Sequence, residues 1–419
     1  MVWAGAVVVL VTFAALLKRY ETRMVLLVSG ALMAALSGNL TAALDAFGKA
    51  MVNDGLVPVI CTVMGFAFVM KHTQCDVHLF HWLTGFLKSG RKLLIPGTVL
   101  VTFAINAALP SAAGCAAAVG AILIPLLTSA GIHPAIAGSA VLAGTWGSSL
   151  NPGNIHNPLI AKMAGVSVGS VIAGHTVAAL AGVAAAALAL AAVAACRREH
   201  KDYEGPVAAA DDAAEFKVEA AKAVVPVVPL ALLVVGGFSR QFPFVPAVSV
   251  PQAMLLGAVL GLLASRGRPD DISQQFFSGM GDAYARVIGM IIAAAVFNEG
   301  MRLIGLTEAL VGAMKQSQAA AGLAATLGPF AVAVLSGSGD AATLAFNGTV
   351  TPYAAQAGFS IPQLGSQAFL AGALGRSMSP VAGAAMVCAA LAGVHPIEIA
   401  KRNAPGMALA AILTMLILL

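Results

Sequence analysis

The chain has 419 residues, 59% hydrophobic and 10% charged, with a net charge of +5 and a mean hydropathy of +0.90. Soluble domains carry about 25% charged residues, and apolar runs of roughly 20 residues recur along the whole length, so a soluble enzyme is excluded in favour of one polytopic, all-α membrane domain. Basic residues stand singly or in threes between apolar runs, which excludes a nucleic-acid-binding face, and the five cysteines show no CxxC spacing, which excludes a disulfide or metal framework.

Residues 2–17 read as an uncleaved first span with its N-terminus outside, because Lys18, Arg19 and Arg23 follow the apolar run instead of preceding it. Residues 24–44 return outward, 49–54 are external, and 56–70 run inward. Residues 73–88 are amphipathic and predict an in-plane cytoplasmic helix, with Cys75, His78 and His81 read as a solvated polar face, not a metal site. Residues 92–128 are too short for two spans. Pro110, Ser111 and Gly114 in their middle break the helix, predicting a re-entrant hairpin. The span from 135 to 160 is interrupted at Ser148–Asn154, and 166–195 returns to the cytoplasm.

Residues 196–222 form the one polar linker and predict a flexible connector. The second half repeats the plan, with spans at 224–238, 254–264 and 283–299 and an external in-plane segment at 301–318. A second hairpin follows at 319–355 with its tip at Ser336–Asp340, then a span from 362 to 391 interrupted at Gly375–Pro380, and a last span from 404 to 419. Most Lys and Arg fall on the cytoplasmic side of this scheme, and both termini are periplasmic.

The two halves share a duplicated stretch. An offset of 227 residues places Ser111 on Ser338, Pro125 on Pro352 and Gly131 on Gly358. An offset of 228 places Gly147, Ser149 and Pro152 on Gly375, Ser377 and Pro380, and Ala164-Gly165-Val166 on Ala392-Gly393-Val394. The reading is two inverted repeats, 1–195 and 223–419, each with about five transmembrane helices and one hairpin, joined by the linker. Paired interrupted segments point to the substrate site of a secondary transporter.

Helix N-termini at two tips and two breaks suit a carboxylate. Ser111, Ala112, Ala113, Gly114, Ser338 and Gly339 allow close backbone approach, and Asn106, Asn151, Asn154, Ser336, Thr343, Asn347, Ser377 and Ser379 supply further hydrogen bonds. The alternative for each is plain helix packing. Arg376 lies deep in an apolar segment and reads as a carboxylate clamp or as an ion-pair partner of Asp340. Asp340 is the coupling candidate, carrying a proton or helping to hold a cation, and His156 is either a proton relay or structural. No cofactor is expected: Gly337–Ala342 mimics a dinucleotide fingerprint but lacks a βαβ setting. No GxSxG or HExxH motif supports an enzyme.

SGSGDAATLAF (336–346), GRSMSPVAG (375–383), AGVHPIEIAKR (392–402) and LPSAAG (109–114) resemble the anaerobic C4-dicarboxylate carriers of the DcuC type, in the ion-transporter superfamily. The resemblance implies exchange, uptake or efflux of succinate, fumarate or malate across a bacterial inner membrane. It further implies a homodimer with scaffold and transport domains and an elevator-like movement. Sodium-coupled dicarboxylate carriers of the superfamily have Ser-Asn-Thr at both tips, where this chain has Ser111-Ala112-Ala113 and Ser338-Gly339-Asp340. The departure favours a proton or counter-substrate over sodium as the coupling partner. The runner-up is a carrier of another organic anion, a monocarboxylate, gluconate or citrate.

Overall fold

The computed structural model describes residues 1–18, 20–53, 56–85, 93–201, 203, 216–237, 248–307, 309 and 318–419. All regular structure among them is helical. The first half holds α1 (Val2–Leu17), α2 (Thr22–Leu36), α3 (Leu40–Met51), α4 (Val57–His72), α5 (Cys75–Gly85), α6 (Leu94–Ala108), α7 (Ala112–Ser129), α8 (Pro134–Ala143), α9 (His156–Ala164) and α10 (Val168–Cys196). The second holds α11 (Ala220–Val224), α12 (Val228–Gly237), α13 (Val250–Ser265), α14 (Pro269–Ala283), α15 (Gly289–Leu303), α16 (Gln318–Ser336), α17 (Gly339–Thr349), α18 (Ile361–Arg376), α19 (Gly383–Ala392) and α20 (Pro396–Leu418).

The duplicated residues do the same local work at both copies. Ser111 caps α7 by accepting from the Gly114 amide, and Ser338 caps α17 by accepting from the Ala341 amide. Gly165 and Gly393 end α9 and α19 at φ +67° and +64°, in the left-handed region that favours glycine. Helix pairs α6–α7 and α16–α17 occupy the two stretches read as hairpins, and the two stretches read as interruptions lie between α8 and α9 and between α18 and α19.

Long uninterrupted spans are fewer than the sequence predicts. Among the described residues three helical stretches are long and apolar enough to cross a membrane, Ala112–Ser129, Val168–Cys196 and Pro269–Leu303, and α19 and α20 form a fourth path bent by 116°. Shorter apolar helices such as α2, α4, α6 and α13 make up most of the rest. A helix of 15 residues such as α2 covers about 23 Å, less than the roughly 30 Å of hydrocarbon, so these helices cross only in combination.

The expected span 24–44 is two helices, broken by Ser37, Gly38 at φ +77° and Asn39, which caps α3. Its consequence is a corrected topology. Arg23 Nη1 donates to Ala285 O (2.8 Å) and Tyr284 Oη donates to Met51 O (3.1 Å). Arg23 and Met51 therefore meet adjacent residues and cannot lie on opposite faces of a bilayer, as the linear reading had them. Helix α14 was also missed, because its polar start, Pro-Asp-Asp-Ile-Ser-Gln-Gln, hides that it continues through a π turn at Tyr284–Ile288 into α15. Of the external in-plane segment 301–318, residues 308 and 310–317 lie outside the described residues.

Among the described residues the largest core joins α5–α8, α10 and α18–α20, with Trp146 fully buried within it. Smaller cores tie α4 to α13 and α14 through Phe66, Met70 and Phe276, and α1 and α2 to α15 through Leu26, Met33 and Phe297. Helices α2 and α15 cross backbone to backbone: a Cβ on Gly30 would sit 2.5 Å from Val296 O, and one on Gly300 2.4 Å from Gly30 O.

Both described ends of the linker are docked, which corrects the expectation of a free connector. Phe216 stacks on His81 (centroids 4.1 Å apart, 14° between planes) and packs obliquely on His78. The Glu219 amide donates to His78 Nδ1 (3.0 Å). The two histidines thus hold the linker instead of facing solvent, and His78 is buried. At the other end Arg402 Nε and Nη2 grip both oxygens of Glu199, at 2.8 and 2.5 Å, and the His133 amide donates to Glu199 O. Burial raises the pKa of the Glu199 carboxyl, but hydrogen bonds and charge from Arg402, then His133 and Arg197, hold it below its usual 4.5.

Gly30→Ala is expected to cost about 1–3 kcal/mol by forcing the α2–α15 crossing apart, read as a lower melting midpoint in detergent. Gly174→Ala, where an added Cβ meets nothing within 4 Å, should not lower it. A carboxylate with a depressed folded pKa stabilises above its unfolded pKa and loses that contribution as pH falls. Stability from the Glu199–Arg402 pair should therefore be complete at neutral pH and decline below about 4.5. Glu199→Gln should flatten that part of the melting-point-against-pH curve, and an unchanged curve would remove the pair from the account.

Candidate functional site

Unwound backbone within a membrane bundle must find its hydrogen bonds in protein or in a wet cavity. At the first break the protein supplies them. Asn106 Oδ1, on α6, accepts from the Ser148 amide (2.8 Å), and Asn151 Nδ2 donates to Ala107 O (2.7 Å) while its Oδ1 accepts from the Gly153 amide (2.8 Å). Asn157 Nδ2 donates to Ser149 O and Asn151 O. His175 Nε2 lies 3.0 Å from Ser149 O, and its Nδ1 3.1 Å from Ser366 Oγ on α18. Gly147 has no room for a side chain: a Cβ would fall 1.9 Å from Phe103 O. The first hairpin and the first break are therefore one rigid unit.

The second half is built by the same logic with different residues. Asn347 Nδ2 donates to Gly365 O (3.3 Å), Thr351 donates to Asn347 Oδ1 (2.8 Å), and Thr343 Oγ1 donates to Ala368 O (3.4 Å). Ser377 O accepts from Asn403 (3.1 Å), and Ser379 Oγ accepts from the Val381 amide. Gly339 is buried against Gly372, where a Cβ would lie 2.7 Å from the carbonyl oxygen.

Of the predicted site residues, Asn106, Asn151, Thr343, Asn347, Ser377 and Ser379 are thus buried and hydrogen-bonded within the fold. Asn154 is partly open and divides its amide between the His156 amide and Ser148 Oγ. The first tip, Ser111, Ala112, Ala113 and Gly114, is exposed or half-buried. At the second tip Ser336 and Ser338 are half-buried, and Ser336 Oγ accepts from the Ser338 amide.

Asp340 and Arg376 remain. Arg376 is the last residue of α18, where a cation is favoured by the helix dipole. One nitrogen, Nη2, donates to Thr145 O at 2.8 Å. Among the described residues the guanidinium makes no other hydrogen bond, so its fork is largely free to receive an anion. The ion pair between Arg376 and Asp340, the alternative to the clamp, is not formed. Asp340 instead pairs with His156, Nε2 to Oδ1 at 3.1 Å. Arg376 stays near enough to Asp340 to feel its charge. The reason lies in placement: His156 begins α9, directly across from the first turn of α17, whereas Arg376 reaches the other way to the α8 end of the first break.

A cleft of about 200 Å³ opens beside the second tip, lined by Ser336, Ser338, Ala341, Val332 and Val381 and, from the α1–α2 turn, by Tyr20 and Thr22. Tyr20 and Thr22 were not foreseen. They sit beside a basic turn that reads as surface loop, and no spacing connects them to a stretch more than 300 residues away.

Hairpins and broken helices converging on an open carboxylate and a half-free guanidinium inside a membrane bundle define a membrane transporter. Solved structures agree in fold. Neisseria gonorrhoeae MtrF, described as illuminating a class of antimetabolite efflux pumps, matches with a TM-score of 0.62 at 15% identity, covering 90% of this chain and 83% of its own. The Alcanivorax borkumensis YdaH transporter matches with a TM-score of 0.57 at 14% identity, covering 90% and 86%. The sequence profile of DcuC, the C4-dicarboxylate anaerobic carrier, matches residues 5–419, and the chain belongs to that family. A Haemophilus influenzae protein described as an uncharacterized transporter is 39% identical over 278 residues, 64% of this chain and all of its own length. The Escherichia coli K12 anaerobic C4-dicarboxylate transporter DcuC is 28% identical over 188 residues, 43% of this chain and 40% of its own. The family and the structural neighbours are transporters, not enzymes, and the chain is a multi-pass inner-membrane protein.

Asn151→Ala would strand Ala107 O and the Gly153 amide at about 1–3 kcal/mol for each group left unpaired. Purified Asn151→Ala protein should melt lower than Asn154→Ala, whose side chain is partly open. The reverse order would mean that the first break is not held by Asn151.

Proposed function

We propose that this protein is a secondary carrier of C4-dicarboxylates such as succinate, fumarate and malate. The observation that carries the reading is Arg376: a guanidinium set between two helix breaks that, among the described residues, makes one hydrogen bond, to Thr145, in a chain of the DcuC family. A planar fork is suited to a carboxylate. To the rest of a small dianion we assign the half-buried hydroxyls of Ser336 and Ser338, which line the cleft beside the second tip, together with the exposed first tip and Asn154.

The architecture we propose is a pair of inverted repeats, 1–195 and 223–419, joined by the linker 196–222. The matched caps and glycine stops of the two copies support it, as does the reciprocal packing of α4 on α13 and α14 and of α15 on α2 and α3. The large core around the first hairpin and both breaks, with the second hairpin packed on it through Phe330, suits a transport domain, and the smaller cores of α1–α4 and α12–α15 suit a scaffold, in an elevator-like carrier that works as a dimer. Moving a dianion inward against 100 mV costs about 4.6 kcal/mol. Uptake thus requires exchange or co-transported cations, and the family's resemblance together with Asp340 favours a proton or a counter-substrate.

Counterflow in proteoliposomes tests the function. Labelled succinate outside should accumulate transiently when unlabelled succinate is loaded inside, and not when it is omitted. Arg376→Ala should remove both counterflow and succinate binding while the purified protein still folds, and Arg376→Lys should recover only part of either. Normal counterflow by a folded Arg376→Ala protein would sink the clamp.

A further inference from the structure

We infer that His156 and Asp340 form a single proton-carrying unit in which His156 keeps Asp340 ionised until substrate arrives, so that one proton enters the site with each dicarboxylate. The inference rests on the carrier function proposed above and adds the residue that sets its coupling.

The two partners come from different halves of the chain. His156 opens α9 behind the first break, and Asp340 lies in the first turn of α17 behind the second tip. They meet at 3.1 Å, yet their surroundings differ sharply: the imidazole is wholly buried, whereas the carboxylate is 66% exposed. The pair is open on its carboxylate side and closed on its imidazole side.

The other ring nitrogen settles which proton is where. His156 Nδ1 is buried and has no hydrogen-bond partner among the described residues. Protonated on both nitrogens, the ring would bury an N–H donor with no acceptor, which is costly. With its proton on Nε2 it donates to Asp340 and leaves Nδ1 as a bare acceptor, the cheaper omission. The geometry thus favours a neutral His156 donating to an ionised Asp340, and Phe369, 4.4 Å from the ring centroid, holds the imidazole in that pose. The pair carries one negative charge, and one proton discharges it.

Few other ionisable groups surround the pair. Arg376 on α18 is the nearest cation, and Cys115 on α7 lies beyond it. His175 on α10 touches the same Phe369 but is committed to Ser149 and Ser366. Helix α16, packed along α17, carries no charge. On α15, Glu299 and Arg302 pair with each other, Lys162 on α9 bonds Asn53, and Tyr353 lies past the far end of α17.

The empty site therefore balances Asp340 against Arg376. A dianion arriving at Arg376 meets the Asp340 carboxylate as a like charge, and a proton taken up on the open side of that carboxylate removes the repulsion. The same oxygen returns the proton to water when substrate leaves, and no bond other than O–H forms or breaks. One proton moving with one dianion leaves one net negative charge, so this unit alone favours movement out of an inside-negative cell.

The test measures succinate affinity and succinate-linked proton uptake as functions of pH on purified wild-type, His156→Leu, His156→Gln and Asp340→Asn proteins, with counterflow run alongside. In wild type, succinate binding should take up about one proton and tighten as pH falls toward the acid's own titration range. Asp340→Asn should take up none. His156→Leu, having lost the donor that favours the ionised carboxylate, should move the pH midpoint of binding upward by roughly one unit, and His156→Gln, which keeps a donor, should restore most of the shift. Overlapping profiles for wild type and His156→Leu, or proton uptake surviving in Asp340→Asn, would overturn the unit. If His156→Leu fails to fold, His156→Gln against Asp340→Asn still decides. Absence of succinate counterflow in the wild type would overturn the carrier reading itself, a separate outcome.

Discussion

The structure depends on one constraint: peptide groups taken out of a helix inside a membrane bundle must still be hydrogen-bonded. Both breaks meet it with side-chain amides from neighbouring segments. Asn106 and Asn151 lace the first break to the first hairpin, and Asn347 and Asn403 tie the second hairpin and the second break to α18 and α20. With those residues committed to the backbone, few polar groups remain to face a ligand. Arg376 and Asp340 stand out because the scaffold of amides leaves them over.

This division of labour explains what the sequence could and could not tell. Helix breaks were legible, because Pro, Gly and Ser in an apolar run break helices for local reasons and because the same breaks recur at an offset of 227 or 228 residues. Ser111, Ser338, Gly165 and Gly393 act locally and were readable in the same way. Site assignment was harder. Asn106 and Asp340 are both polar residues near a break, and only the third dimension separates the one that bonds Ser148 from the one that meets His156. The contact between His156 and Asp340 spans 184 positions, and no periodicity reports it.

Topology failed for a different reason. Apolar length predicts spans only when one helix crosses alone. Here α2 turns at Gly38 into α3, and polar α14 continues into apolar α15 through a π turn, so hydropathy merged two helices in one place and discarded half of one in the other. The linker shows the same limit in polar guise. Its composition reads as free chain, but Phe216 and Glu199 each find one specific partner site, an imidazole pair and a guanidinium fork.

The change of offset from 227 to 228 falls within α18, between Ser366 and Leu370. One added residue in an α-helix advances every later side chain by about 100° around the axis. The two copies are thus out of phase from that point on. Helix α18 continues to Arg376, whereas α8 stops at Ala143 and its chain unwinds through Ser148, the position that answers to Arg376. The stretch holding the extra residue also contains Phe369, which packs against His156 and His175. The added residue sets a phase difference of about a quarter turn between the later faces of the two copies, and a separate difference in residue type puts a charge at Arg376 where the other copy has the neutral Ser148.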